Sequence, residues 1–275
     1  MVRRLQSAQD TGIPCTPIRL LLDHGDVGAD IDLAYQVQSA SIARRTAAGA
    51  RIVGRKIGLT NPKVQAQLDV DRPDFGVLLD DMHTVPGEPV DIGRLLQPKI
   101  EAEIAFVLSA DLDQAGPIGE ANVAAATDHI VAALEIVDSR IAGWDISILD
   151  TVADNGSSAM FALGDQPVPL DGLDLVATSM SMTRDGEVVS EGTGADCLGG
   201  PLTAVAWLAR TVRDFGNPLR TGDVILSGAL GPMVTVEPGC SFTANITDVG
   251  AVTVSFSGTT ASSRDAGDHP AREST

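Results

Sequence analysis

The 275-residue sequence is 44% hydrophobic but only 3% aromatic, so it can bury one large core built mainly from aliphatic side chains. Its 37 acidic residues outnumber its 19 basic residues, and the formal net charge of −18 argues against a nucleic-acid partner, which needs a basic surface. The sequence has no apolar run of membrane length, no signal-peptide pattern and no paired cysteine motif, which predicts a cytoplasmic protein without disulfides or membrane attachment.

The N-terminal part of the chain predicts a helix followed by strands. Apolar residues recur at helical spacing over residues 29–48, which predicts a packed N-terminal helix. The β-branched run Arg51–Gly58 predicts a strand that leads into a loop, and Asn61-Pro62 predicts the start of a short helix. Strict alternation over Ile100–Leu108 predicts a strand with one wholly apolar face.

The rest of the chain predicts short helices and many strands. Residues 121–133 are expected to be helical, residues 134–137 to begin a strand, and residues 147–155 to form a short helix or turn. Residues 179–189 predict a β-hairpin, and residues 202–215 predict a strongly amphipathic helix. The strands expected after that helix are Asp223–Leu226, Met233–Val236, Phe242–Ile246 and Val252–Phe256.

Strands dominate the second half without the regular alternation of strands and helices that a doubly wound sheet shows. The pattern therefore favours an α+β fold built on a rolled mixed sheet. We expect a helical N-terminal region over residues 1–50 and a β-roll core over residues 51–258. The polar residues 259–275 are expected to form a disordered tail, because they have no apolar face.

Three glutamates predict a cation site. Period-2 spacing places Glu101 and Glu103 on one face of their strand, where the charges repel unless a cation lies between them. Glu135 lies in an apolar segment, and a buried carboxylate needs a base, a proton or a metal. Three carboxylates without paired His or Cys ligands favour Mg²⁺ or Mn²⁺. The alternatives are a solvated strand face for the pair and a salt bridge from Glu135 to Arg140 or Lys99.

Two further residues are candidates for acid–base chemistry. Lys56 lies in GRKIG, where the glycines allow close approach, and a lysine there can bind a substrate carboxylate or act with a lowered pKa. The alternative is a surface lysine at a turn. Asp74 lies after Pro73 on a predicted loop, where most aspartates form turns. Residues 150–158 are rich in small polar side chains that either line a pocket or cap a helix.

Several blocks of the sequence resemble the 2-keto-4-pentenoate hydratases, a family of the wider fumarylacetoacetate-hydrolase-like superfamily. The blocks are GRKIGLTNPKVQAQL, RPDFGVLLDDM, QPKIEAEIAFVLSADL, ALEIVDSRIAGWDISILDTVADN, LGGPLTAVAWLA and LRTGDVILSGALGPMVTVEPG. The resemblance runs from about Leu33 to Phe256 in the family's order and spacing. The related 4-oxalocrotonate decarboxylases share most of these blocks, so the resemblance is more specific for the superfamily than for one activity.

The resemblance implies a mixed β-roll core with a smaller helical N-terminal region, assembled as a homo-oligomer that is often a pentamer or decamer. It implies Mg²⁺ or Mn²⁺ held by Glu101, Glu103 and Glu135. The family's lysine and aspartate fall on Lys56 and Asp74, which are the expected catalytic residues. The expected substrate-binding residues are Lys56, Gly58, Leu68, Ser157 and Ser158.

The reaction that the resemblance implies is metal-dependent hydration of 2-hydroxypenta-2,4-dienoate to 4-hydroxy-2-oxopentanoate, in the breakdown of aromatic compounds. Decarboxylation of 2-oxo-3-hexenedioate is an alternative, although it needs a counter-charge for a second carboxylate. Hydrolysis of a C–C bond ranks third, because no histidine stands beside the carboxylates. A non-catalytic subunit that stabilises a pathway partner is a further alternative, and association with the next pathway enzyme is compatible with either role.

Overall fold

The computed structural model describes residues 1–21, 27–61, 65 and 72–258. Most of the short helix predicted to begin at Asn61-Pro62, and the predicted polar tail, lie outside these residues. Within the described part of the chain, no helix is both long and apolar enough to cross a membrane.

Helices lie at the N-terminus and between the strands. The described helices are α1 (Val2–Thr11), α2 (Val27–Ala47), α3 (Glu120–Ala126), α4 (Ile148–Ala153) and α5 (Pro201–Asp214). The helices predicted over residues 29–48 and 202–215 are confirmed as α2 and α5. Helix α1 was not predicted, because it is mostly polar and buries only Leu5 and Ala8.

The strands form two sheets. They are β1 (Ile52–Gly58), β2 (Asp74–Leu79), β3 (Lys99–Leu108), β4 (Thr127–Val137), β5 (Ser158–Leu163), β6 (Ser179–Arg184), β7 (Glu187–Thr193), β8 (Val224–Leu226), β9 (Val234–Thr235), β10 (Ser241–Ile246) and β11 (Gly250–Ser255). The larger sheet has the order β2-β1-β8-β3-β4-β5, with β9 also paired to β3, and the smaller has the order β11-β10-β6-β7. Only the β1–β8 pair of the larger sheet is parallel among the described pairings, so the sheet is mixed and the predicted α+β fold is confirmed.

The N-terminal helix α2 is anchored to the larger sheet at the point where the candidate site begins. The side-chain amide of Gln38 is buried and donates to the backbone oxygens of Phe75 on β2 and Val152 on α4, at 2.9 and 3.0 Å. The ring of Tyr35 stacks on Phe75 at 4.5 Å between centroids. These contacts hold the first residues of β2 between α2 and α4.

The prediction of a helix over residues 121–133 is wrong for its second half. The helix ends at Ala126, and β4 begins at Thr127. The alanine-rich start favours a helix, but residues from Thr127 onward pair with β3, with Phe106 opposite Ile130. Pairing along a central strand outweighs the weak local preference.

Two strands were not predicted. Asp74 does not lie on a loop but is the first residue of β2, which is buried along its whole length. Such a strand has no alternation to reveal it, because both of its faces are covered. Strand β5 begins at Ser158, directly after a tight turn, and pairs with β4.

Candidate metal centre and active site

Pairing of β3 with β4 brings the three predicted glutamates together. Glu101 lies directly opposite Glu135, and Glu103 lies opposite Ala133 on the same sheet face. One carboxylate oxygen from each glutamate lies within 4.8 Å of the others. Glu103 and Glu135 are 0% exposed and Glu101 is 8% exposed, so the alternative of a solvated strand face is wrong.

The chemistry of this cluster fits a hard divalent cation. Oε1 of Glu103 and both carboxylate oxygens of Glu135 are buried and accept no hydrogen bond from the described residues. Burial and the charge of Glu135 raise the pKa of Glu101 to about 7, and the same causes together with Glu101 raise the pKa of Glu103 well above its usual value. Buried carboxylates without donors are costly, and a cation bound by oxygen ligands removes that cost.

Lys56 is the cationic side chain that faces the glutamates. It is 2% exposed on β1, and its Nζ lies 3.4 Å from Oε2 of Glu135. The alternative of a surface lysine is therefore wrong. Burial lowers the pKa of Lys56, but Glu135 and the other nearby carboxylates outweigh it and raise the pKa, opposite to the lowered value expected from the sequence.

The salt bridge considered for Glu135 goes to neither of the two residues named from the sequence. Arg140 instead pairs with Asp154, with Nε 2.6 Å from Oδ1. Lys99 lies over the ring of Trp144, at 4.4 Å from its centroid. Neither cation therefore forms the ion pair with Glu135, which goes to Lys56 instead.

Asp74 lies beside Lys56 at the start of β2. Its Oδ2 accepts a hydrogen bond from Oγ1 of Thr151 at 2.9 Å, whereas its buried Oδ1 has no donor among the described residues. Burial raises the pKa of Asp74, although Lys56 and Thr151 act against it. A Cβ on Gly58, which lies opposite Asp74, would overlap Oδ1. The glycine therefore lets this carboxylate lie against β1.

A left-handed turn forms one wall of the site. Asn155, Gly156 and Ser157 have φ values of 58°, 62° and 54°. Each non-glycine residue in this region costs about 1–2 kcal/mol, and the Asn155 side chain holds the turn by bonding both backbone groups of Val77, at 2.8 and 2.9 Å. A Cβ on Gly156 would lie 2.6 Å from Cε of Lys56, so this position needs glycine for space as well as conformation.

A third glycine positions Glu103. The backbone N–H of Gly228 donates to Oε2 of Glu103 at 2.6 Å. Gly228 has a φ of 109°, and a Cβ there would lie 2.5 Å from Oγ1 of Thr60. Sequence analysis included Thr151 and Gly156 only in the stretch 150–158 that either lines a pocket or caps a helix, and it did not identify Gly228. A single sequence shows a glycine or threonine but not which side chain it will contact.

Glu101 and Lys56 line a cavity of about 530 Å³, the active-site cavity. Asp74, Gly58 and Ser157 also line it. Ser158 was predicted to bind substrate, but it lies in the lining of a different cavity. The backbone carbonyl of Ser157 accepts a hydrogen bond from the backbone N–H of Asp138, and β5 begins at the next residue. The two neighbouring serines therefore line different cavities. Leu68 lies outside the described residues.

The rest of the active-site cavity combines apolar, neutral polar and acidic residues, and the neutral polar ones include Thr60, Asn61 and Thr151. Val137, Trp144, Ile146 and Met233 supply the apolar wall, and the acidic residues away from the glutamate cluster are Glu191 and Asp196. Among the described residues that line it, Lys56 is the one cationic side chain.

Comparison with known proteins identifies a matching family and several similar proteins. The sequence profile of the fumarylacetoacetate (FAA) hydrolase C-terminal family matches residues 45–257. A 2-keto-4-pentenoate hydratase of Burkholderia vietnamiensis is 50% identical over 256 residues, covering 93% of this chain and 96% of that protein. A 2-hydroxyhexa-2,4-dienoate hydratase of Comamonas testosteroni is 42% identical over 228 residues, covering 82% of this chain and 86% of that protein. A solved 4-oxalocrotonate decarboxylase from Pseudomonas putida G7, complexed with magnesium and adipate, has a TM-score of 0.80 and 34% identity, covering 93% of this chain and 96% of that one.

Proposed function

The chain belongs to the fumarylacetoacetate hydrolase family and, within it, to the 2-keto-4-pentenoate hydratases, and from this premise we propose that it hydrates 2-hydroxypenta-2,4-dienoate. The product is 4-hydroxy-2-oxopentanoate, and the enzyme is a hydro-lyase of aromatic catabolism. The observation that carries the proposal is the buried cluster of three carboxylates, with Lys56 and Asp74 beside it in one cavity.

We assign a divalent cation, Mg²⁺ or Mn²⁺, to Glu101, Glu103 and Glu135. One oxygen from each glutamate lies within 4.8 Å of the others, and Oε1 of Glu103 and both oxygens of Glu135 accept no hydrogen bond from the described residues. These observations support the assignment, as does the magnesium in the related decarboxylase structure. When bound, such a cation supplies Lewis acidity that stabilises negative charge on the substrate's 2-oxygen and carboxylate.

Lys56 and Asp74 are the groups that we assign to proton transfer. The ammonium group of Lys56 attracts the substrate carboxylate into the active-site cavity, and Oδ1 of Asp74 is free to exchange a proton because Thr151 occupies Oδ2. One of the two residues accepts the 2-hydroxyl proton, and the other delivers a proton to C5. Water then adds its hydroxyl to C4 and its proton to C3, which balances the reaction.

The lining of the active-site cavity favours hydration over decarboxylation of 2-oxo-3-hexenedioate. The decarboxylation substrate carries a second carboxylate, which needs a second cation. The described lining offers only Lys56 and adds Glu191 and Asp196, which repel a second negative charge. The apolar residues Trp144, Ile146 and Met233 suit the short hydrocarbon end of a pentadienoate or hexadienoate.

The test supplies each substrate to the purified protein with Mg²⁺ or Mn²⁺. We expect loss of the dienoate absorbance with formation of 4-hydroxy-2-oxopentanoate, and little release of CO2 from the dicarboxylate. The matched control is the double variant Glu101→Gln/Glu103→Gln, in which turnover should disappear while the fold remains. Efficient CO2 release, or full hydration in excess chelator, would contradict the proposal.

We further propose a cytoplasmic homo-oligomer, a pentamer or a decamer. Exposed apolar side chains in the segment after α1 support association, since Ile13 and Leu20 are 69% and 66% exposed. Light scattering should give a mass several times that of one chain, and a monomer would contradict this. Gel filtration with the enzyme that consumes the hydration product tests the proposed association with the next pathway enzyme, which is also the test of a non-catalytic stabilising role.

A further inference from the structure

A second cavity, of about 360 Å³, lies on the other side of the left-handed turn 155–157. It lies between α1, α2 and the start of β5, and we name it the helix-side cavity. The lining residues that define it are Leu5, Ile42, Arg94, Arg140, Ser158 and Met160. Its volume is in the range of small-molecule sites, which is roughly 300–1,000 Å³.

Ser158 points to a ligand in the helix-side cavity. The residue is 3% exposed, and its Oγ is buried without a hydrogen-bond partner among the described residues. A buried hydroxyl without a partner is costly, and such groups in native proteins need a ligand or water. The neighbouring Ser157 faces the active-site cavity, so Ser158 belongs to a separate site.

Of the three arginines that line the helix-side cavity, one has no acidic partner among the described residues and can bind a ligand. Arg45 pairs with Asp81 and Arg140 pairs with Asp154, each at 2.6 Å. Arg94 is exposed, and its side chain forms no ion pair with the described residues. Asp10 lies at the exposed end of the lining on α1, so the cavity has a cationic side near Arg94 and an acidic side at α1.

We propose that the helix-side cavity binds a small monocarboxylate with an apolar body. The carboxylate accepts hydrogen bonds from Ser158 Oγ, which is buried without a partner among the described residues, and from the Arg94 guanidinium, which forms no ion pair with them. The body of the ligand lies against Leu5, Ile42 and Met160. Such a ligand would touch the outer side of the turn whose inner side, at Gly156 and Ser157, lines the active-site cavity.

The test uses benzoate as the probe and benzamide as its uncharged analogue, in calorimetric titrations of the full chain loaded with Mg²⁺. We expect one benzoate per chain with a Kd of about 1 mM or tighter, and at least about tenfold weaker binding of benzamide. Ser158→Ala and Arg94→Gln should each weaken benzoate binding about fivefold or more, because each removes one hydrogen bond to a charged group.

Ser157→Ala is the matched control, since it removes the adjacent hydroxyl on the active-site side and should leave this benzoate affinity unchanged. Arg94 is exposed, so Arg94→Gln keeps the test valid if Ser158→Ala unfolds. The proposal is overturned by the absence of benzoate binding, or by a single binding event that Ser157→Ala removes and the other two variants retain. Loss of hydratase activity does not bear on it, because the readout is binding.

Discussion

Replacing Gly228 with alanine should weaken metal binding more than it weakens the fold. The new Cβ would lie 2.5 Å from Oγ1 and 2.9 Å from Cβ of Thr60, and closer still to its Cγ2. Non-bonded carbon atoms prefer about 3.5–4.0 Å, so the backbone at Gly228 must move by about 1 Å. The Gly228 N–H now donates to Glu103 Oε2 at 2.6 Å. A movement of about 1 Å breaks that bond, since such contacts weaken beyond about 3.2 Å.

The expected loss of metal affinity follows from the broken hydrogen bond between Gly228 and Glu103. A hydrogen bond to a charged group contributes about 1.5–3 kcal/mol, and groups that orient metal ligands typically contribute about 10–100-fold in affinity. We therefore expect Gly228→Ala to raise the Kd for Mn²⁺ about 10–100-fold. Isothermal titration of the metal-free protein measures this, and calorimetric melting separates it from a general loss of stability.

Gly222→Ala is the matched control for the backbone cost. Gly222 also has a positive φ, of 87°, but a Cβ there meets no atom within 4 Å. The melting temperature of the Gly222→Ala variant should fall, while the metal affinity of this variant stays unchanged. Adding Thr60→Ala to Gly228→Ala should restore part of the metal affinity, because it removes the two nearest atoms. An unchanged metal affinity in Gly228→Ala, or an equal loss in Gly222→Ala, would refute the reasoning.

Further predictions concern the glutamates and the lysine. Glu103→Gln should weaken metal binding at least about 100-fold without lowering the melting temperature of the metal-free protein, since it replaces a buried carboxylate that burial, Glu135 and Glu101 already destabilise in its charged form. A clear fall in that temperature would argue against the metal role. Because burial and Glu135 raise the pKa of metal-free Glu101 to about 7, metal binding should release protons below that pH, and metal affinity should fall as the pH falls through that value. Calorimetry in two buffers of different ionisation enthalpy counts the protons, and a pH-independent affinity between about pH 5 and 8 would count against this. Gly156→Ala should lower kcat/KM about 100-fold by displacing Lys56. The control Gly143→Ala should leave the kinetics unchanged, because Gly143 also has a positive φ but a Cβ there meets no atom within 4 Å.

Much of the fold was predictable from periodicity. The alternation over Ile100–Leu108 and the helical pattern over residues 202–215 both appear in the structure as expected. Strand β2 was missed because a strand buried on both faces has no period that distinguishes it from other apolar runs. The boundary at Thr127 was missed because pairing with β3 outweighs the local preference of an alanine-rich segment.

The candidate site was predictable in its residue types but not in its arrangement. The strand period alone places Glu101 and Glu103 on one face, and the apolar surroundings of Glu135 identify it as a carboxylate that needs compensation. Sequence could not distinguish a salt bridge with Arg140 from one with Lys56, since both are cations within reach of a buried segment. Sequence also could not show that Ser158, predicted to bind substrate, lines a different cavity from Ser157, because a turn of three left-handed residues changes which side of the wall each serine faces.

The sequence by itself determined the strand periods, the composition of the core and the supply of acidic and basic groups, because these depend on residue type and local spacing. Only the tertiary structure decided that Glu135 lies opposite Glu101, that Gly228 donates to Glu103 and that Gly156 gives Lys56 its space. These contacts join residues that are far apart in the chain. They depend on strand register and on a few backbone conformations, which are set by the packing of the whole domain.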